Sequence, residues 1–214
     1  MFEEKHSSFH QAHLRPHQDH RDKETRITDK LKQYADNPAF VVGELGHLRN
    51  FNKMRGTSNA SLVETAAAIK KCYEELASFG VRTALTQIIP DKNPDTIFSI
   101  VKNVHDVDVQ NGDDHATEEY ERTLAGLLSY LESKKESPAL FLTDIVRPVQ
   151  YVYGTVEGDP TPHLYLIDFD PVAANEMDIY PEVMAPALKN FVPMKLRRDG
   201  YMDLVQRIDR LKAV

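Results

Sequence analysis

The chain has 214 residues, 41% of them hydrophobic, which is enough for one large domain or for two small lobes sharing a cleft without any disulfide. With 26 basic against 33 acidic residues the formal charge is -7, which argues against nucleic acid as the main partner. One cysteine, Cys72, excludes an internal disulfide and a multi-cysteine zinc site, and no apolar run is long enough to span a membrane. The first residues, Met1 to His6, carry no signal-peptide core, so the expected setting is a reducing cytoplasm with no membrane partner.

Residues 1–37 read as a polar, histidine-rich N-terminal arm. His6, His10, His13, His17 and His20 follow at steps of four, three, four and three, which on a helix sets all five imidazoles along one stripe. Two His at i, i+4 can bind zinc or nickel. Pro16 interrupts the stripe, and Arg15 and Arg21 add positive charge beside it. The first reading is therefore a loosely helical arm whose charge responds to pH near about 6.5, available to a protein partner.

Composition changes at Pro38. Residues 39–42 form a short β-type run, after which Gly43 and Gly46 are expected to loosen the chain ahead of an Arg-, Asn- and Lys-rich segment, 47–56. Ser61-Leu62-Val63-Glu64 fits a capping box, and Leu62, Ala66, Ile69, Tyr73 and Leu76 then line one helix face until Gly80. Cys72 falls within this pattern and reads as core packing; Glu64 reads as a cap, and Glu74 and Glu75 as solvent-exposed. Strands are expected over 81–89 and 96–104, joined by the proline-containing loop 90–95.

The segment 106–119 carries Asp106, Asp108, Asp113, Asp114, Glu118 and Glu119 with no Lys or Arg. It reads first as a solvated loop, and beside a cleft it would favour a cationic substrate. Thr117 is the expected N-cap of a long helix whose Tyr120, Leu124, Leu127, Leu128 and Leu131 make a core face. Three β-type runs follow, 139–143, 149–156 and 163–167. The first and last lead into Asp144 and Asp168, and 157–162, rich in Gly and Pro, is expected to be a loop. A last helix is expected over 201–211 with Leu204, Val205, Ile208 and Leu211 inward.

Asp144 and Asp168 at neighbouring strand ends suit turn capping first, and otherwise a hard cation such as Mg²⁺, which takes oxygen ligands. Over residues 61–171 the order is capped helix, two strands, acidic hinge, long helix, strand ending in Asp144, hairpin, then Leu166-Ile167-Asp168-Phe169-Asp170. This order resembles the protein-kinase-like fold, most of all aminoglycoside and small-molecule phosphotransferases. The resemblance implies an α+β, two-lobed protein-kinase-like fold with a reduced N-lobe: an N-lobe-like region at 38–104 and a C-lobe-like region at 105–214. It implies ATP and Mg²⁺ as cofactors, with Asp144 as catalytic base and Asp168 as metal ligand. Asp170 would be a further ligand, Gln150 would stand in for the family's metal-binding Asn, and the adenine would lie against backbone near Lys102, Asn103 and Val104.

The sequence also departs from that family. Leu142 stands where a His is usual, and Val149 where the metal-binding Asn belongs. No Gly-rich phosphate flap precedes Gly43, which itself occupies the place of a strand Lys; only Lys53 or Arg55, from the following segment, can substitute. Two functions follow. One is ATP- and Mg²⁺-dependent phosphoryl transfer to a hydroxyl of a small-molecule or protein substrate. The other is a catalytically silent, pseudokinase-like adaptor that binds a protein partner.

Overall fold

The structure, a computed structural model, describes residues 29–49, 60–91, 95–134, 140–167, 171–173 and 184–212. Helix α1 (Asp29–Ala35) opens it, and its fully buried Leu31 packs on Ile89, Phe98 and Ile100. Tyr34 donates from its hydroxyl to Gln87 Oε1 at 3.0 Å and meets Phe40 edge-on. The last residues of the polar arm are thus a helix docked on a sheet. The five arm histidines lie outside the described residues.

That sheet has three antiparallel strands, β1 (Phe40–His47), β2 (Leu85–Asp91) and β3 (Thr96–Lys102), in the order β1-β3-β2. The central strand, β3, is buried along all but its last residue, as a strand covered on both faces should be. β1 does not stop at Val42 as expected but continues through both glycines to His47. Gly43 faces Ser99, and a bulge between Glu44 and Gly46 absorbs the irregularity, with Gly46 at φ 138°. The expected strand 81–89 begins only at Leu85, because Arg82 and Ala84 turn part of their backbone bonding to Leu166, although Ala84 O still accepts from Lys102 N–H of β3. Leu166 donates to Arg82 O, and Ala84 donates to Leu166 O, both at 2.9 Å.

Helix α2 (Leu62–Ser78) has the capping box in full: Ser61 Oγ accepts from Glu64 N–H, and Glu64 accepts from Ser61 N–H at 2.8 Å. Its face of Leu62, Ala66, Ile69, Cys72, Tyr73 and Leu76 is buried, so Cys72 is core. Glu74 pairs with Lys70 in solvent at 3.6 Å, but Glu75 is not simply exposed. It meets Lys134 at 2.5 Å, with the lysine 10% exposed, and joins α2 to α3 (Asp114–Lys134). The cap of α3 is Asp113, whose Oδ1 accepts from Ala116 N–H. Thr117, expected to cap, lies one turn inside the helix, buried, with its hydroxyl donating to Asp113 O.

Two small antiparallel sheets complete the α+β arrangement. One pairs β4 (His105–Asp106), β6 (Tyr151–Val156) and β7 (Asp159–Leu166); the other pairs β5 (Leu140–Leu142) with β8 (Pro171–Ala173). The expected loop 157–162 shrinks to a tight turn at Glu157-Gly158, and β7 runs straight through Pro160 and Pro162. Both prolines are tolerated because β7 is an edge strand, where a missing N–H costs no ladder bond. A 3-10 turn over Pro148–Gln150 delays β6 from the expected 149 to Tyr151.

The largest apolar cluster draws on both sides of the expected boundary at 104/105. Ile69, Leu76, Val81 and Ile97 share it with Leu124, Leu128, Tyr151, Leu166 and Phe191. The closing helix α4 (Tyr201–Lys212) seals it with Tyr201, Ile208 and Leu211, with Leu204 and Val205 packed against its edge. Among the described residues no helix is long and apolar enough to cross a membrane.

Gly126 fixes the approach of α3 to the end of α2, because a Cβ there would lie 2.4 Å from Phe79 O. Ala at an ordinary helix position gains about 1 kcal/mol over Gly. Here the backbone clash should outweigh that gain, and Gly126→Ala should lose about 1–3 kcal/mol in a denaturant titration. A stabilised variant would contradict this packing.

Candidate functional site

Asp144 is the second residue of a 3-10 turn, Thr143–Val146, that follows directly on β5. The loop from Thr143 to Gln150 is held from behind by Tyr151, whose buried hydroxyl donates to Ile145 O at 2.8 Å. Tyr151 in turn packs edge-on against Phe191 at 4.9 Å. Burial alone pushes its phenol well above the usual tyrosine value, so it remains a donor.

Asp168 and Asp170 lie outside the described residues, but the residues on either side of them are fixed. Ile167 N–H donates to Gln150 O at 2.9 Å, and Pro171 is paired with Leu142 across the β5–β8 ladder. The Asp144 loop runs from Leu142 to Gln150, and the stretch with Asp168 and Asp170 runs from Ile167 to Pro171. The two flanks of the Asp144 loop are therefore joined to the residues that flank 168–170, one by strand pairing and one by a hydrogen bond.

Beside this junction is a cavity of about 340 Å³, walled by Asp106, Asp108, Tyr120, Val149, Tyr153 and Lys195. The acidic run is thus not only a solvated loop, since Asp106 and Asp108, although exposed, are among the residues lining a cavity. Lys195 is partly committed, donating to Val109 O at 2.5 Å. Burial, then the charge of Asp106, raises the Tyr120 phenol to about 12. Val149, in the family's Asn position, lines the cavity half-exposed, while Gln150 contributes its backbone N–H to Arg147 O at 3.0 Å.

Lys102 ends β3 and donates its N–H to Ala84 O at 2.8 Å. Asn103 donates its N–H to Ala39 O at 2.7 Å and its side-chain amide to Pro38 O at 3.0 Å. Val104 packs at the edge of the cluster of Ala84, Val101, Val156 and Tyr165. Of the backbone expected to meet an adenine, Lys102 to Val104, the N–H groups of Lys102 and Asn103 are engaged within the protein.

A second polar centre went unread in the sequence. Glu119, 5% exposed on α3, accepts from Leu164 N–H at 3.1 Å and from Arg122 at 2.6 Å, with Arg82 Nε at 3.6 Å and His163 Nδ1 at 3.3 Å. His115, one turn earlier, completes a cluster whose three ligand atoms lie within 4.8 Å of one another. The signal was His115-x-x-x-Glu119, a spacing that puts both side chains on one helix face. It was masked by the acidic residues around it.

Comparisons with protein-family profiles, with curated proteins and with solved structures gave no match.

Removing the Tyr151 hydroxyl leaves the Ile145 carbonyl without its donor, so Tyr151→Phe should lose about 1 kcal/mol in chemical denaturation; an unchanged midpoint would contradict the role given to it. A second outcome concerns alkali. Tyr120 keeps its proton to about 12 in the folded chain against 10.0 when exposed. The folded state then binds more protons between these values, so its contribution is complete below pH 10 and is lost as pH rises from about 10 to about 12. Tyr120→Phe should flatten that stretch of a melting-temperature profile, and an unaltered slope would refute the assignment.

Proposed function

We propose that this protein is a phosphotransferase of protein-kinase-like architecture that uses ATP and Mg²⁺ to phosphorylate a hydroxyl of a cationic substrate. One observation carries the reading: the Asp144 loop and the stretch holding Asp168 and Asp170 share both their ends, through Leu142 with Pro171 and through Gln150 with Ile167. Phosphoryl transfer demands little covalent chemistry from the protein and a great deal of positioning, so carboxylates on two segments whose flanks are joined suit it.

In this reading Asp144 orients the acceptor hydroxyl and takes its proton as the phosphoryl group arrives. Asp168 and Asp170 would hold Mg²⁺, with the Gln150 amide oxygen standing in for the Asn that Val149 replaces, since hard oxygen donors suit that ion. The metal, when bound, neutralises the charge on the phosphates. The acceptor's positive group lies in the cavity of about 340 Å³, which Asp106 and Asp108 line with Pro148 and Val149 of the Asp144 loop, and its hydroxyl reaches out to Asp144, which is not among the lining residues.

The engaged N–H groups of Lys102 and Asn103, with Leu142 and Val149, favour a second reading, a silent scaffold that binds a protein through its N-terminal arm. Nucleotide turnover separates the two. With ATP, Mg²⁺ and polyhydroxylated amines as acceptors, ADP formation should fall about 10²–10⁴-fold in Asp144→Asn and vanish in Asp168→Asn, with folding retained by circular dichroism. Turnover that survives in Asp168→Asn would sink the phosphotransfer reading. A wild type that neither turns over nor binds nucleotide would favour the scaffold.

A further inference from the structure

The cluster where α3 meets β7 has the attributes of a metal site, and its ligands are independent of the residues of the phosphotransfer reading. His115 and Glu119 project from one face of α3, and His163 comes from β7, so the three tie a helix to an edge strand. Glu119 divides its two oxygens. Oε2 takes Arg122 and the Leu164 N–H, while Oε1 faces His163.

His115 Nε2 lies 2.7 Å from Pro162 O, so it donates there and leaves Nδ1 with the lone pair that a metal takes. His163 Nε2 lies 3.6 Å from Asp159 Oδ2, longer than a hydrogen bond, and a metal on Nδ1 would favour closing that gap. Its Nδ1 is buried and makes no hydrogen bond, although Glu119 Oε1 is 3.3 Å away. A buried polar atom without a partner costs about 1–3 kcal/mol, and a coordinated cation removes that cost.

We propose that His115, Glu119 and His163 bind a divalent transition-metal ion of the zinc type. Two imidazoles and one carboxylate select that class over Mg²⁺ or Ca²⁺. The ligand atoms, within 4.8 Å of one another, close to roughly 3.4 Å in a tetrahedral site; exposed His115 can supply much of that movement. Arg82 and Arg122 oppose the added charge, which Glu119 and Asp159 offset, so the metal acts as a clamp between α3 and β7 with one coordination position left for water.

The test is a Co²⁺ and Zn²⁺ titration of the metal-stripped full chain, read by bound equivalents, visible Co²⁺ absorption and melting temperature. Because the arm carries five more histidines, the site is read by difference. His115→Ala, at an exposed position, should lose one equivalent, the visible band and the Zn²⁺-induced rise in melting temperature. Asp159→Asn should weaken binding about 10–100-fold. Replacing His6, His10, His13, His17 and His20 by Asn should leave that equivalent in place. Equal stoichiometry and equal Zn²⁺ stabilisation in wild type and His115→Ala would overturn the proposal, as would loss of the band in the arm variant.

Discussion

A buried carboxylate, Glu119, is the constraint on which the other contacts depend. Desolvating one charge costs several kcal/mol, so it persists only where hydrogen bonds and opposite charges surround it. Here those partners come from three separate parts of the chain: Arg82 after α2, Arg122 on α3 itself, and the Leu164 N–H with His163 on β7. The helix, the segment leading into β2 and the hairpin are fixed to one another by satisfying the same two oxygens. Leu166, two residues beyond Leu164, then bonds with Arg82 and Ala84 and extends that attachment along the strand.

From this junction the hairpin carries its order outward to the candidate active loop. Leu166 pairs with Tyr151, and Tyr151 holds Ile145 from beneath while Ile167 holds Gln150. The loop with Asp144 is therefore supported by buried groups of the main core, not by surface contacts. Such support is what a positioning site requires, because a carboxylate held loosely loses most of its value as a base or metal ligand.

Helices were legible because their period is a property of neighbouring residues. The Ser61 box and the apolar faces of α2, α3 and α4 all match the sequence pattern. What failed to read was set by distant partners. Pro160 and Pro162 signalled a loop, but β7 tolerates them as an edge strand, a fact of sheet order and not of local sequence. Gly43 and Gly46 signalled an end to β1, yet one sits against Ser99 and the other in a bulge. Asp113 took the cap from Thr117 because the helix begins a turn earlier than its apolar stripe. Glu119 read as one of many acids, since the groups that bury it, Arg82 and Leu164, are remote in sequence.

In the proposed reading the Asp144 loop and the residues between Ile167 and Pro171, joined at their flanks, serve one metal-nucleotide site. Paramagnetic broadening of backbone amide signals by Mn²⁺-ATP tests it at those positions. The account predicts strong broadening at Thr143, Asp144, Ile145 and Ile167, removed by excess Mg²⁺-ATP. Broadening elsewhere with these amides untouched would contradict it.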